Sequence, residues 1–154
     1  MNDSAIGQIT TFIRNNPLAV LSTINDQGDP HGTTLYVGTD DHLNLYLLTK
    51  NQTAKYFHMK NHPRVSLTFT AEDHQQTLQV HGNAAEVTVP DEGARAFQVI
   101  GAIRHQTTDF RLPISRFEAG PYAVFKIDVS YARLTNYEGS NRVDGISKVE
   151  YDGS

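Results

Sequence analysis

The sequence predicts a mainly β domain, in which six antiparallel strands form a small barrel with α-helices at its periphery. Apolar and polar residues alternate along several stretches of the chain, which is the period of a half-buried strand. Asn, Asp, Gly and Pro cluster between these stretches, as they do in turns. A barrel is favoured because it removes exposed strand edges. The 154 residues fit one domain, without a repeat or a linker.

The six predicted strands are recognised by β-branched, aromatic and alternating residues. In chain order they cover residues 18–24, 31–37, 43–48, 65–70, 77–89 and 122–137. The turn residues at 25–30 separate the first two strands. Residues 71–74 join the fourth strand to the fifth, so these two strands should pair as neighbours.

Three segments have helical patterns. Ser4 can cap the first helix, whose isoleucines form one apolar stripe, and this helix should end before Pro17. A second helix over residues 52–61 must end near His62, because Pro63 restricts the conformation of the residue before it. The third helix begins at Pro90. Its apolar side consists of Ala96, Phe97, Ile100 and Ile103.

The composition excludes several classes of function. The net charge of -4 argues against a general nucleic-acid binder, because such a protein needs a basic face. The chain has no cysteine, which excludes disulfides, thiolate metal sites and cysteine nucleophiles. The first residues lack the basic flank and apolar core of a signal peptide, and no apolar run could span a bilayer. We therefore expect a cytoplasmic protein without a membrane or nucleic-acid partner.

Basic residues cluster where the third predicted strand is followed by the second helix. Lys50, Lys55, Lys60 and Arg64 lie in this segment, whereas residues 42–71 contain no Asp or Glu. The first N–H groups of a helix lack internal partners, and the helix dipole leaves partial positive charge there. A phosphate group satisfies both needs. The segment therefore predicts a site for a phosphorylated cofactor.

The seven histidines raise the question of a metal site. His58 and His62 are four residues apart and would share one helical face, at a spacing that can chelate a metal. No acidic residue accompanies them in the helix, and Lys50 and Lys60 would repel a cation. Surface histidines are the favoured interpretation, so no metal site is predicted.

One segment of the chain resembles the pyridoxamine 5'-phosphate oxidase family at its most specific motif. The family shows a Thr, a Ser-Arg-Lys triplet and then Asn-Pro-Arg-Val-Ser-Leu. Thr49 matches the first Thr, and residues 63–67 repeat Pro-Arg-Val-Ser-Leu. Thr53 and Lys55 stand at the Ser and Lys of the triplet, whereas Ala54 replaces its Arg.

The resemblance extends over residues 18–137 and implies the FMN-binding split barrel, a six-stranded antiparallel Greek-key fold with peripheral helices. The family is usually a homodimer with flavin at the subunit interface. The implied function is that of an FMN-binding oxidoreductase with a small-molecule substrate. No catalytic side chain is predicted, because the isoalloxazine ring carries the electrons while the protein supplies position and polarity.

The resemblance also implies which residues contact the flavin. Thr33 occupies a position where the family has a phosphate-facing Arg, and Lys50 is an extra cation that would compensate for the Arg missing at Ala54. Gln106 and Thr107 resemble a pair that the partner subunit offers to the flavin. In full, the implied cofactor-binding residues are Thr33, Leu48, Thr49, Lys50, Thr53, Lys55, Thr77, Gln106, Thr107 and Tyr137.

The substrate side departs from the family. Gly38 stands where the oxidase has a Lys that holds the substrate phosphate, and the oxidase's C-terminal region rich in Arg and Trp is mostly absent. Arg142 is the one nearby match to a substrate-contacting Arg, with its spacing off by one. We therefore expect a substrate other than pyridoxamine 5'-phosphate, which the sequence does not identify.

Three alternatives stay open. The same barrel could bind or sense flavin or haem without catalysis, and a haem protein should show an axial ligand, for which His58, His62 and His81 are candidates. The chain could instead be a deazaflavin-dependent reductase, or a structural dimer with an empty site. Residues 139–154 could be a flexible end or a flap over the partner's site.

Overall fold

The computed structural model describes residues 2–103, 121–137 and 147–153 of the chain. These residues form three helices and eight strands. The helices are α1 (Asn2–Asn15), α2 (Ala54–Asn61) and α3 (Pro90–Gly101). The strands are β1 (Leu18–Ile24), β2 (Pro30–Tyr36), β3 (Gly38–Thr39), β4 (Asn44–Lys50), β5 (Arg64–Thr70), β6 (Gln76–Glu86), β7 (Tyr122–Asn136) and β8 (Ser147–Asp152).

The strands form one antiparallel sheet in the order β2-β1-β5-β6-β7-β4-β3, with β8 added beside β7. β7 organises the sheet because it pairs with three strands. Its residues 122–128 pair with β4, residues 131–136 pair with β8, and residues 125–136 pair with β6 on the other side. The sheet curls into a half-barrel, which confirms the predicted mainly β, antiparallel split-barrel fold with peripheral helices.

The curled sheet is open at one side. β2 and β3 are the two ends of the strand path in the described part of the chain, so strand pairing does not close the sheet into the complete barrel that the sequence predicted. α2 follows β4 and packs against β1, β4 and β6. This packing places the start of α2 beside the opening, close to β2.

α1 begins earlier than the sequence predicted. The helix starts at Asn2, so the predicted cap at Ser4 is wrong, and the Ser4 hydroxyl instead accepts a hydrogen bond from Gln8 at 3.4 Å. The isoleucine stripe is confirmed, because Ile9 and Ile13 are fully buried. Burial of each side chain stabilises the fold by about 1.5–3 kcal/mol, which is enough to hold α1 against β3 and β8.

The core has two parts. The larger one lies on the concave side of the sheet and contains fully buried residues from the long strands. Among them are Leu21, Leu67, Phe69, Phe125 and Ile127. A smaller cluster packs α3 against β4 and β7. It consists of Tyr46, Ala96, Ile100, Ile103 and Val124. No helix in the described ranges is long and apolar enough to cross a membrane.

β8 lies within residues 139–154, for which the sequence allowed two interpretations, a flexible end or a flap over the partner's site. Ser147–Asp152 pair with β7, and Val149 and Tyr151 pack against the larger core. The other residues of β8, which are Ser147, Lys148, Glu150 and Asp152, are exposed. Alternation of only two apolar residues is a weak signal, which is why the strand was missed.

Candidate functional site

The turn between β4 and α2 brings three of the predicted site residues together, Thr49, Lys50 and Thr53. The carbonyl oxygen of Lys50 accepts hydrogen bonds from the backbone N–H of Thr53 at 3.3 Å and from its hydroxyl at 2.9 Å. The hydroxyl oxygens of Thr49 and Thr53 lie 3.1 Å apart. Thr53 occupies the N-cap of α2, yet its side chain makes no capping hydrogen bond. The first backbone N–H groups of α2 are therefore not capped by the side chain of Thr53.

A cavity of about 200 Å³ opens between β2 and the first turns of α2. Hydroxyl, imidazole and ammonium groups dominate its lining. The lining residues are Thr23, His31, Gly32, Thr33, Thr53, Ala54, Lys55 and His58. Predicted cofactor residues Thr33, Thr53 and Lys55 thus share one cavity, and none of its described lining residues carries a carboxylate. We call this space the α2 cavity.

Lys55 is the main positive charge of the α2 cavity. Its side chain is partly buried, and in the described part of the chain it forms no ion pair. Burial lowers the pKa of the Lys55 ammonium, and the nearby charge of Lys50 lowers it further. A cation that is desolvated without a carboxylate partner is stabilised by binding an anion. The electrostatics of the cavity therefore favour a phosphate or carboxylate ligand.

Two histidines line the same cavity, and one of them was missed from the sequence. The His58 ring lies 5.0 Å from the His31 ring, measured between centroids. Nδ1 of His58 lies 2.9 Å from the hydroxyl of Thr23, which is almost fully buried. Sequence spacing linked His58 with His62, but the structure places His58 with residues of β1 and β2. The pairing of β1 with β2 and the packing of α2 against β1 bring these three residues together.

Other predicted residues near α2 lie outside the lining. Lys50 is exposed, and it acts on Lys55 only through its charge. Thr49 is buried at the end of β4 and reaches the cavity indirectly, through Thr53. The side chain of Leu48 packs against the α3 cluster, on the other face of β4.

Thr77 and Tyr137 are not among the residues that line the α2 cavity. Thr77 pairs with Thr135 of β7, and the backbone N–H of Tyr137 donates to the carbonyl of Gln75. Thr49 pairs instead with Ala123, near the other end of β7. At about 3.3 Å per residue, the two ends of this strand are roughly 40 Å apart along its path. Along β7, Thr77 and Tyr137 thus lie near one end and Thr49 near the other.

Three predicted residues lie outside the described ranges. They are Gln106, Thr107 and Arg142. Their roles toward a flavin or a substrate stay predictions.

Gly38 lies in close contact with α3. A Cβ atom at this position would lie 2.8 Å from Cγ1 of Val99 and 3.1 Å from its carbonyl oxygen. Both distances are shorter than ordinary van der Waals contact, so a side chain at position 38 would require α3 to move. The space for the lysine that the family resemblance expects at Gly38 is thus occupied.

The remaining histidine candidates are engaged elsewhere. Nε2 of His62 lies 2.9 Å from Oδ1 of Asp26, on the surface. His81 lies against the Tyr131 ring at 5.8 Å between centroids. Within residues 2–103, 121–137 and 147–153, no group of three His, Asp or Glu side chains could hold a metal ion.

Comparison with known proteins gives a family. The sequence profile described as pyridoxamine 5'-phosphate oxidase matches residues 6–136. Comparison with curated protein sequences gives no significant match.

Solved structures share the fold. A conserved hypothetical protein from Mycobacterium tuberculosis has a TM-score of 0.68 and 22% identity, over 85% of this chain and 84% of its own. A heme binding protein from Mycobacterium smegmatis has a TM-score of 0.69 and 15% identity, and the match covers 94% of this chain but 57% of that protein. General Stress Protein 26 from Bacillus anthracis has a TM-score of 0.62 and 20% identity, over 86% of this chain and 92% of its own.

At these identities the structural likeness establishes the fold alone. The sequence profile, in contrast, spans all long strands through β7. The chain therefore belongs to the pyridoxamine 5'-phosphate oxidase family.

Proposed function

We propose that the chain is an FMN-binding flavoprotein that acts as an oxidoreductase on a small substrate. The observation that carries this proposal is the α2 cavity, which combines Lys55, Thr33 and Thr53 with the start of a helix, and whose lining within the described ranges contains no carboxylate. Proteins of this family usually bind a flavin. When bound, the flavin supplies the electron transfer, so the protein needs to provide binding and orientation.

The residues of the α2 cavity fit a phosphate monoester. Lys55 supplies a charge-assisted hydrogen bond, and the hydroxyls of Thr33 and Thr53 can donate to phosphate oxygens. Free N–H groups in the first turn of α2 add donors and a favourable dipole. Each of these groups stabilises negative charge. A turn with a structural role alone would not need a cation, two hydroxyls and free helix N–H groups around one cavity.

The size of the α2 cavity supports a dimeric cofactor site. Its volume of about 200 Å³ is below the range of about 300–1,000 Å³ for pockets that enclose a whole small-molecule ligand. The phosphate and part of the ribityl chain fit inside, so the ring would lie outside and need cover. Family members are typically dimeric. We infer a homodimer in which Thr77 and Tyr137 of one protomer approach the flavin of the other.

Gly38 supports a substrate other than pyridoxamine 5'-phosphate. Val99 of α3 fills the space in which a substrate-binding lysine would stand. A lysine there would contribute about 1.5–3 kcal/mol through a charged hydrogen bond, and this chain lacks that contribution. The same packing makes the substrate side of the barrel more apolar than the family resemblance implies.

Retention of FMN tests the proposal. The purified protein is mixed with FMN and dialysed, and its visible absorption spectrum is expected to keep the two flavin bands. Lys55→Ala should weaken FMN binding by about 10- to 100-fold, because it removes one charged hydrogen bond worth about 1.5–3 kcal/mol. Lys60→Ala is the matched control, since Lys60 is exposed on the same helix and does not line the cavity.

Two outcomes would contradict the cofactor assignment. The first is a parent protein that loses FMN completely on dialysis. The second is an equal loss of affinity in Lys55→Ala and Lys60→Ala, which would mean that only the overall charge of α2 matters. Turnover of a reduced nicotinamide with an electron acceptor then separates an oxidoreductase from a flavin-storing protein.

Haem is the second candidate cofactor. His58 lines the α2 cavity, and imidazole is a common axial ligand of haem iron. A structural neighbour from Mycobacterium smegmatis is named as a heme binding protein. A Soret band that appears on adding haem and is lost in His58→Ala would favour haem over FMN.

A further inference from the structure

The α2 cavity contains more potential positive charge than Lys55 alone. A phosphate monoester carries about -1.5 to -2 charges near pH 7. Among the described lining residues, Lys55 supplies one positive charge, and His31 and His58 are the other basic side chains. A proton on one of the two imidazoles would add a second positive charge beside a bound phosphate.

The hydrogen bonds of Asn25 orient its amide toward His31. Oδ1 of Asn25 accepts the backbone N–H groups of Gln27 at 3.0 Å and Asp29 at 2.8 Å. The amide nitrogen of Asn25 therefore faces Nε2 of His31, at 3.2 Å. This nitrogen can only donate, so Nε2 of His31 is the acceptor in this hydrogen bond. A proton on Nε2 would break the bond to Asn25.

His58 has the opposite arrangement. Its Nδ1 lies 2.9 Å from the hydroxyl of Thr23, which can either donate or accept by rotating its hydrogen. The hydroxyl can donate to a neutral His58 and accept from a protonated one. Gain of a proton thus costs His58 no hydrogen bond. Of the two imidazoles that line the cavity, His58 is therefore the one that keeps its hydrogen bond when it gains a proton.

The groups around His58 do not cancel this effect. Asp26 is bound to His62, and Glu86 of β6 accepts the Tyr56 hydroxyl at 2.8 Å. Asp29 lies in the β1–β2 turn, where it is exposed. Besides His58, the described titratable and charged groups on α2, on its C-cap and on β2, β4 and β6 are Lys55, Tyr56, Lys60, His62, His31, Tyr36, Tyr46, Lys50, His81 and Glu86, while Asp26 and Asp29 lie in the turn between β1 and β2.

We propose that His58 is a phosphate-binding residue whose protonation makes anion binding in the α2 cavity depend on pH, with Thr23 as its positioning residue. The identity of the anion as a phosphorylated cofactor rests on the proposed function. An anion beside an imidazole favours the charged form. Affinity for the phosphate group therefore rises as the pH falls through the titration range of histidine.

Inorganic phosphate tests the site without a flavin. The imidazole signals of the full chain are followed by NMR from about pH 8 to about pH 5, with and without phosphate, and His58 is assigned with His58→Gln. Phosphate is expected to move the His58 titration to higher pH by about one unit. An unchanged His58 titration in saturating phosphate would overturn the proposal.

FMN affinity gives the second readout. We expect the ratio of parent to variant affinity to rise about 3- to 10-fold between about pH 8 and about pH 6 for both His58→Asn and His58→Gln. Asn keeps a polar atom near the position of Nδ1 and Gln keeps one near Nε2, but neither takes up a proton. Protonation of the phosphate itself affects parent and variants equally and cancels in the ratio. A ratio that does not change with pH would overturn the proposal.

Thr23 is tested by the same pH profile. Thr23→Val removes the hydroxyl at nearly constant volume and should reduce the pH-dependent gain, whereas Thr23→Ser should keep it. Equal profiles for Val and Ser would remove Thr23 from the proposal. Failure of the cofactor assignment is distinguishable: phosphate would still move the His58 titration while FMN would not be retained.

Discussion

Replacement of Phe125 by Ala is expected to lower the free energy of unfolding by about 3–5 kcal/mol. Phe125 is fully buried in β7, and its ring contacts the ring of Tyr56 edge-on at 5.6 Å between centroids. It pairs with Leu47 on one side and with Glu86 on the other. Strands on both sides prevent collapse of the space left behind, so the cavity persists. Urea unfolding measures the change.

Phe57→Ala is the matched control for Phe125→Ala. Phe57 is 52% exposed on α2, although it also contacts Tyr56 edge-on at 5.3 Å. Its truncation removes an aromatic contact but creates no buried cavity, so the loss should be below about 1.5 kcal/mol. Similar losses for the two variants would contradict the placement of the core on the concave side of the sheet.

Gly82→Ala should also destabilise the protein strongly, by about 1–3 kcal/mol or more. The pairing of β6 with β7 is irregular between His81 and Gly82, where the strands approach closely. A Cβ atom at position 82 would lie 2.6 Å from the carbonyl oxygen of Asp128 and 2.8 Å from Cγ2 of Ile127. One contact is with backbone, which cannot rotate away. The thermal midpoint, compared at equal protein concentration, measures the effect.

Gly93→Ala provides the comparison for Gly82→Ala. Gly93 lies in α3, and a Cβ atom there would meet nothing within 4 Å. Alanine in a helix loses less backbone entropy on folding than glycine, so Gly93→Ala should stabilise the protein by about 0.5–1 kcal/mol. A gain in stability from Gly82→Ala would mean that β6 and β7 are farther apart at this point.

Strands with regular alternation could be predicted closely from the sequence. The predicted strand over residues 18–24 coincides with β1, and that over residues 65–70 is within one residue of β5. β6 ends at Glu86 rather than at Val89. Val87 keeps a backbone hydrogen bond to Val124, but it packs against the α3 cluster, and Pro90 then starts the helix. Competition between sheet and helix packing is a tertiary effect, which local patterns do not contain.

The candidate site was predictable only in its local part. Thr53 and Lys55 are two residues apart at a strand-to-helix junction, and charge together with turn chemistry sufficed to find them. Thr23, His31 and His58 meet through the pairing of β1 with β2 and the packing of α2 on β1. No spacing in the sequence encodes that proximity. Leu48 was named from the same junction, but strand alternation turns its side chain away from Thr49.

The position of β7 in the sheet has a consequence for synthesis of the chain. β4 and β6 both pair along most of their length with β7, whose first residue is Tyr122. A nascent chain that ends before this residue exposes two long, unpaired strand edges at once. Such edges recruit other strands, so aggregation competes with folding until β7 leaves the ribosome. Completion of the sheet is therefore a late step, and truncation before β7 should yield insoluble protein.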